Sequence, residues 1–332
     1  MANSLQERFR VVVLDDYEGL AESVPAFQEL ARKAHVTVVR NRLATRAELA
    51  GVLQDANCLL LVRERTRLGA PQLSLAPALR LISQTGATFA HLDLDEINRR
   101  RIVVTHTMSD SGVSTVELTL ALILSLLRRI PLVDRKMREE AWPAIPGQLF
   151  EGKTLGVVGL GRIGAEVARL AQAFHARVVA CGKTLTEQRA RAAAVQALSL
   201  EELLRQSDIV TIHARLSAET RGLIGTRELA LMKPGAFLIN TSRGPIVSET
   251  ALIDTLREGR IGGVGLDVYD EEPLAFDHPL RGFDNAVLLP HRGYGTVEVL
   301  QERYGHALAN IIDFLAGKPK HVLNPETLGA PQ

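Results

Sequence analysis

Three glycines in Gly159-Leu160-Gly161-Arg162-Ile163-Gly164 constrain the fold more than any other stretch of this 332-residue chain. They follow the apolar run Thr154-Leu-Gly-Val-Val158. They open a segment, Ile163 to Phe174, whose apolar residues recur at helical spacing. In a strand–turn–helix unit each glycine has its own reason. Gly159 permits the tight turn, Gly161 lets backbone approach a pyrophosphate, and Gly164 lets helix and strand pack closely. The helix start adds free N–H groups and a partial positive charge, which suit phosphates. Glycines also mark ordinary turns, but a strand before and a helix after favour a dinucleotide site with Gly159, Gly161, Arg162, Ile163 and Gly164 as its contacts.

The remaining pattern repeats the same unit. Arg10–Leu14, His35–Val39, Cys58–Val62, Leu79–Ser83 and Arg101–Val104 read as buried strands separated by helical segments such as Val24–Ala34 and Asp93–Arg100. Residues 113–130 read as one long helix stopped by Pro131. A second series follows it: Thr154–Val158, Arg177–Ala180, Ile209–Ile212, Ala236–Ile239, Gly263–Val268 and Val287–Leu289. Ser199-Leu-Glu-Glu202 reads as a capping box, and Val297–Leu315 as a final helix. Alternating strands and helices predict an α/β protein with two Rossmann-like, doubly wound parallel sheets.

Composition narrows the function. Lys+Arg of 39 against Asp+Glu of 38 gives no global field for nucleic acid. No apolar run is long enough to span a bilayer, and MANSLQERFR has no signal-peptide core. Two cysteines, Cys58 and Cys181, fit a reducing compartment, so a cytoplasmic location is expected. No His/Cys/Asp cluster has metal-ligand spacing, and no G-x-S-x-G appears.

A site for NAD ordinarily places an acid at the end of the strand after the glycine turn, where it holds the ribose 2′-OH. Here that strand leads into Cys181-Gly182-Lys183-Thr184, with no acid. Gly182 and Lys183 stand where a 2′-phosphate would lie, so the cofactor is NAD or NADP. On the rival reading, Lys183 is a solvated surface lysine.

Three polar sets follow three strands of the second series: Asn240-Thr-Ser-Arg243-Gly244, Asp267-Val-Tyr-Asp-Glu-Glu272-Pro273, and Pro290-His291-Arg292-Gly293. Carboxyl ends of parallel strands are where open α/β sheets bind ligands. An arginine fork suits a carboxylate, and a histidine exchanges a proton near neutral pH. A glutamate beside that histidine would favour its protonated form. Together Arg243, Glu272 and His291 suit hydride transfer between a 2-hydroxy acid and a nicotinamide.

With these motifs, and with Met232-Lys-Pro-Gly-Ala236 and Val322-Leu-Asn-Pro325, the chain resembles the D-isomer-specific 2-hydroxyacid dehydrogenases over nearly its whole length. The resemblance implies Arg243 as the substrate arginine, His291 as the acid/base and Glu272 as its partner. It implies that Asp267 contacts the nicotinamide carboxamide, with Thr241, Ser242 and Thr115 beside the nicotinamide. It implies substrate contacts from Arg63 and from the loop backbone at Gly86 and Ala87. It also implies a substrate domain from both chain ends (1–104 and 297–332), a dinucleotide domain (105–296), a small anionic 2-hydroxy or 2-oxo acid as substrate, and a homodimer. Arg215 replaces a proline common beside the adenine ribose and, with Lys183, could read a 2′-phosphate. Arg292 and Tyr294 depart from the small residues usual after the histidine. Two alternatives stay open: an NAD(H)-sensing regulator without turnover, and a dehydrogenase of another small anion such as phosphite.

Overall fold

The computed structural model describes residues 9–107, 112–139 and 142–328. The chain divides into two compact units, Met1–Ser111 with Thr296–Gln332, and Gly112–Gly295. Each contains one all-parallel sheet, as the alternating pattern predicts.

In the first unit β1 (Arg10–Leu14), β2 (His35–Val38), β3 (Cys58–Leu61), β4 (Leu81–Gln84) and β5 (Val103–His106) pair in the order β2-β1-β3-β4-β5. Helices α1 (Pro25–Ala31), α2 (Arg46–Leu53), α3 (Ala70–Leu73) and α4 (Leu94–Arg99) connect them. Every residue of β3 and β4 is buried, which is why these strands read as continuous runs rather than as alternation. Sequence reading passed over α2, although Thr45 and Glu48 cap each other's backbone at its start.

In the second unit the elements run α5 (Val113–Leu127), α6 (Ile130–Glu139), β6 (Thr154–Val158), α7 (Arg162–Ala173), β7 (Arg177–Cys181), α8 (Glu187–Ala192), β8 (Gln196–Ala197), α9 (Leu200–Gln206), β9 (Ile209–Ile212), α10 (Thr226–Leu231), β10 (Phe237–Asn240), α11 (Glu249–Arg257), β11 (Gly263–Leu266) and β12 (Ala286–Leu288). The sheet order is β12-β11-β10-β9-β6-β7-β8, so the direction of winding reverses at β6. Successive residues of a strand enter opposite cores. Val157, Ile209 and Ile239 pack with Ile123 of α5 and Val167 of α7, whereas Val158, Val210 and Leu238 pack with Leu203 of α9 and Leu252 of α11. Each such fully buried side chain contributes roughly 1.5–3 kcal/mol. Helical crossovers keep the strands parallel and cover both faces of the sheet, so the central strands read as nearly continuous apolar runs.

Pro131 corrects one expectation. It does not stop a helix running to residue 130. Helix α5 ends at Leu127, Arg129 turns left-handed (φ 53°), and Pro131 lies in the first turn of α6. A proline is tolerated there because its missing N–H has no helical partner to lose.

The chain then returns to the first unit as α12 (Val297–Leu315), whose bounds match the periodic pattern. Its Tyr304 hydroxyl donates to the buried Asp16 carboxylate at 2.6 Å. Beyond α12, Asn324 stitches the tail to the sheet. Its side chain accepts from the Val104 amide at 2.8 Å and donates to the Ile102 carbonyl at 2.9 Å and to Asn98 at 2.8 Å. Asn324→Ala would leave a buried amide and a buried carbonyl unpaired, which costs about 2–3 kcal/mol. Urea unfolding should show a lower midpoint at an unchanged slope; a loss below about 0.5 kcal/mol would contradict the stitch.

Candidate active site

The glycine turn leaves β6 at the point where winding reverses. Its three glycines are required for different reasons. Gly159 has φ 99°, and a Cβ there would lie 2.7 Å from the Ala214 amide nitrogen. A Cβ on Gly164 would lie 2.2 Å from the Gly159 carbonyl. A Cβ on Gly161 would meet nothing within 4 Å. Two glycines are therefore demanded by packing, and the third faces open space at the start of the 12-residue α7, which has no side-chain cap. Uncapped amides above open space are a cradle for phosphate, and these residues fit a dinucleotide. The Ile163 side chain also packs: a Cβ on left-handed Gly112 would touch its Cγ1 at 3.0 Å.

Past β7, Gly182 is exposed and Lys183 reaches Glu219 at 2.7 Å, with both side chains in solvent. Arg215 is exposed too. Sequence reading missed Arg189, which spans this edge of the turn. It donates to the Leu160 carbonyl at 2.8 Å and to the Thr184 carbonyl and hydroxyl at 2.6 and 3.1 Å. Nothing in the pattern of the short helix α8 marks it out. Burial pushes the thiol of Cys181 up to about 12, so it is inert at neutral pH. His213, at the end of β9, is held down at about 4 by burial and is a neutral strand-end residue.

The loop after β10 is folded by its own polar groups. Asn240 accepts from the Ser242 amide at 3.0 Å and donates to the Arg243 carbonyl at 2.9 Å. Ser242 donates to the Ala214 carbonyl at 2.5 Å, and Thr241 lies 3.0 Å from the Thr119 hydroxyl. Gly244 is obligatory, since a Cβ would sit 2.0 Å from the Tyr269 carbonyl carbon. That contact draws the Arg243 loop against the segment leading to Glu272.

Glu272 and His291 meet. The Glu272 carboxylate accepts from the Tyr269 amide at 3.1 Å and lies 2.7 Å from His291 Nδ1. Burial raises the Glu272 carboxyl. The hydrogen bond and charge of His291, the Tyr269 amide and the charge of Arg243 outweigh that, and the net direction is downward. Because Nδ1 faces Glu272, Nε2 is the imidazole atom left for a ligand. Asp267 is buried, and its two carboxylate oxygens accept from the amides of Arg292 (2.5 Å) and Gly293 (2.7 Å). Burial raises its carboxyl, against the pull of those two amides. The Thr115 hydroxyl donates to the Gly293 carbonyl at 2.9 Å. Asp267 and Thr115, expected beside the nicotinamide, are therefore also holders of the segment after His291.

In the first unit Arg63, Gly86 and Ala87 lie together. Arg63 is left-handed (φ 59°). Its amide donates to Thr85 Oγ1 and its carbonyl accepts from Gln84, each at 2.8 Å. A Cβ on Gly86 would lie 3.3 Å from the Arg63 guanidinium, and Ala87 is exposed. Arg65 is paired bidentately with Glu18 at 2.7 and 2.8 Å. Among the described residues no helix is long and apolar enough to cross a membrane.

Residues 120–293 match the family model described as D-isomer specific 2-hydroxyacid dehydrogenase, NAD binding domain. The chain is 39% identical over 272 residues to a glyoxylate reductase of Aeropyrum pernix, covering 79% of this chain and 81% of that one. A crystal structure from Ralstonia solanacearum, described provisionally as a D-3-phosphoglycerate dehydrogenase oxidoreductase, superposes with a TM-score of 0.90 at 34% identity, over 97% of this chain and 98% of that one. A D-lactate dehydrogenase of Aquifex aeolicus complexed with NAD and lactic acid gives 0.73 at 28% identity, over 93% and 96%. These likenesses make the chain an NAD-dependent oxidoreductase acting on a small 2-hydroxy or 2-oxo acid, and it belongs to the D-isomer specific 2-hydroxyacid dehydrogenase family.

Proposed function

We propose that this protein reduces a small 2-oxo acid to its D-2-hydroxy acid, and reverses the reaction, with His291 as the proton donor and acceptor. The observation that carries the reading is the 2.7 Å pair between Glu272 and His291 Nδ1, with the charge of Arg243 felt at the same carboxylate. Arg243 anchors the substrate carboxylate with its planar fork. In reduction the His291 Nε2 proton goes to the substrate oxygen as the carbonyl carbon becomes tetrahedral; in oxidation the neutral Nε2 takes it back. Glu272 stabilises the positive imidazolium and holds the ring in one orientation. The bound nicotinamide supplies or accepts the hydride. Gly159, Gly161, Arg162, Ile163 and Gly164 form its phosphate turn, and Thr115, Thr241, Ser242 and Asp267 flank its reactive end. The second unit, Gly112–Gly295, is the dinucleotide domain; the expected boundary after residue 104 would cut β5, which belongs to the first sheet. The first unit makes the substrate domain, in which Arg63 and the backbone of Gly86 and Ala87 engage the acid.

A 340 nm absorbance assay with glyoxylate, hydroxypyruvate, 3-phosphohydroxypyruvate, pyruvate and bulkier 2-oxo acids tests the reading. Turnover of at least one acid is expected. Tight NADH binding with no turnover across the panel would favour a sensor, and turnover of phosphite alone would favour the other dehydrogenase reading. Glu272→Gln removes the stabiliser of the protonated imidazole. It should cut reduction by about 10²-fold or more, and the deficit should widen as pH rises. An unchanged pH profile would contradict the assignment.

For the cofactor, β7 ends without a carboxylate that would reject a 2′-phosphate, and Arg215 and the Glu219-paired Lys183 are both exposed. We read NADPH as accepted beside NADH. KM values within about tenfold of each other are expected, with Lys183→Ala/Arg215→Ala raising only that for NADPH; a larger preference for NADH would contradict this.

The protein is also read as a homodimer. Helix α6 buries no residue, and Ile130, Met137, Trp142 and Leu149 are all exposed, Trp142 at 84%. Such apolar exposure suits a second copy of the chain. Sedimentation should give twice the mass of 36.2 kDa, and Met137→Glu/Leu149→Glu should halve it. A wild-type monomer at micromolar concentration would overturn the assignment.

A further inference from the structure

His291 sits just past β12 with a left-handed backbone (φ 54°). A histidine keeps that conformation only where its surroundings fix it. Four hydrogen bonds to the next two residues do so. Asp267 takes two of them, from the amides of Arg292 and Gly293. The other two come from the start of α5. The hydroxyls of Ser114 and Thr115 both donate to the Gly293 carbonyl, at 2.8 and 2.9 Å. Both lone pairs of that oxygen are thereby used. The space around Gly293 is closed by the same holders, since a Cβ there would lie 3.1 Å from Asp267 Oδ2 and 3.2 Å from Thr115 Oγ1.

The first turns of α5 also reach the other reacting loop. Thr119 Oγ1 donates to the Thr115 carbonyl at 2.8 Å and lies 3.0 Å from the hydroxyl of Thr241, two residues before Arg243. One helix start therefore touches both the corner that carries His291 and the loop that carries Arg243. We propose that Ser114 and Thr115 are positioning residues for proton transfer: through the Gly293 carbonyl they fix where the His291 imidazole stands relative to the acid that Arg243 anchors. The proposal rests on the reading of His291 as proton donor. Buried Ser114 is the unforeseen member, and Thr115 gains a role for its hydroxyl besides any backbone contact to the nicotinamide.

Displacing a reacting group by about 1 Å costs on the order of 10²-fold in rate. The test measures kcat, the NADH dissociation constant and the solvent deuterium isotope effect on kcat for the full-length protein. In Ser114→Ala/Thr115→Val, kcat should fall roughly 10- to 100-fold and the isotope effect should rise, because proton delivery becomes slow, while the NADH dissociation constant changes much less than kcat. Thr115→Val alone should show part of the loss, and Thr115→Ser, which keeps the hydroxyl, should restore wild-type kcat. This single-site pair decides the matter if the double variant does not fold. Wild-type kcat and isotope effect in Thr115→Val, or equal loss in Thr115→Val and Thr115→Ser, would overturn the proposal. His291→Gln is the control for the underlying reading. If it keeps wild-type activity, that reading fails; if it is inactive while the hydroxyl variants are normal, only the positioning proposal fails.

Discussion

A buried carboxylate that has given both oxygens to backbone amides cannot move without exposing an unpaired charge to a low-dielectric interior. Asp267 is in that position, and the residues it holds are the two that follow His291. Because Asp267 directly follows β11 and His291 follows β12, the parallel pairing of those neighbouring strands sets the reach between them. Tyr269 reinforces it by donating to the Leu289 carbonyl at 2.9 Å. Glu272 then needs only the short segment after Tyr269 to arrive at Nδ1. The placing of Glu272 against His291 is thus a consequence of sheet register, transmitted through backbone amides rather than through long side chains.

The same economy explains the glycines. Gly244 allows the Arg243 loop to lie on the backbone of Tyr269, and Gly164 allows α7 to lie on the turn it closes. Gly161 differs, because nothing in the chain presses on it. Two glycines serve the fold, and the third leaves space for a ligand. In the first unit the left-handed Arg63 is held at both its amide and its carbonyl by residues at the end of β4 and just after it, so each unit fixes a polar residue by its backbone first.

Much of this was legible in the sequence. Strands such as Cys58–Leu61 and Ile209–Ile212 are buried at every position and, Thr211 aside, apolar, because both sheet faces are covered, and that pattern survives without any tertiary information. The three polar sets after strands were legible because chemistry concentrates at strand ends. The boundary at Pro131 was misread, since proline stops one helix and starts another with the same residue, and only the left-handed turn at Arg129 separates the two outcomes. The pairing of Lys183 with Glu219 joins residues 36 apart, and the donation of Ser114 to Gly293 joins residues 179 apart. No local propensity encodes either contact. Arg189 was invisible for a related reason: two of its three partners are carbonyl oxygens, which every residue has.

The central claim is that His291 Nε2 and Arg243 converge on one bound 2-oxo acid. The most direct measurement is a crystal structure of the protein with NADH and oxamate, an unreactive analogue of such acids. The account predicts the oxamate carboxylate against the Arg243 guanidinium and its amide-group carbonyl oxygen within about 3 Å of His291 Nε2, with Glu272 still on Nδ1. Oxamate bound away from Arg243, or an imidazole turned so that Nε2 faces Glu272, would contradict it.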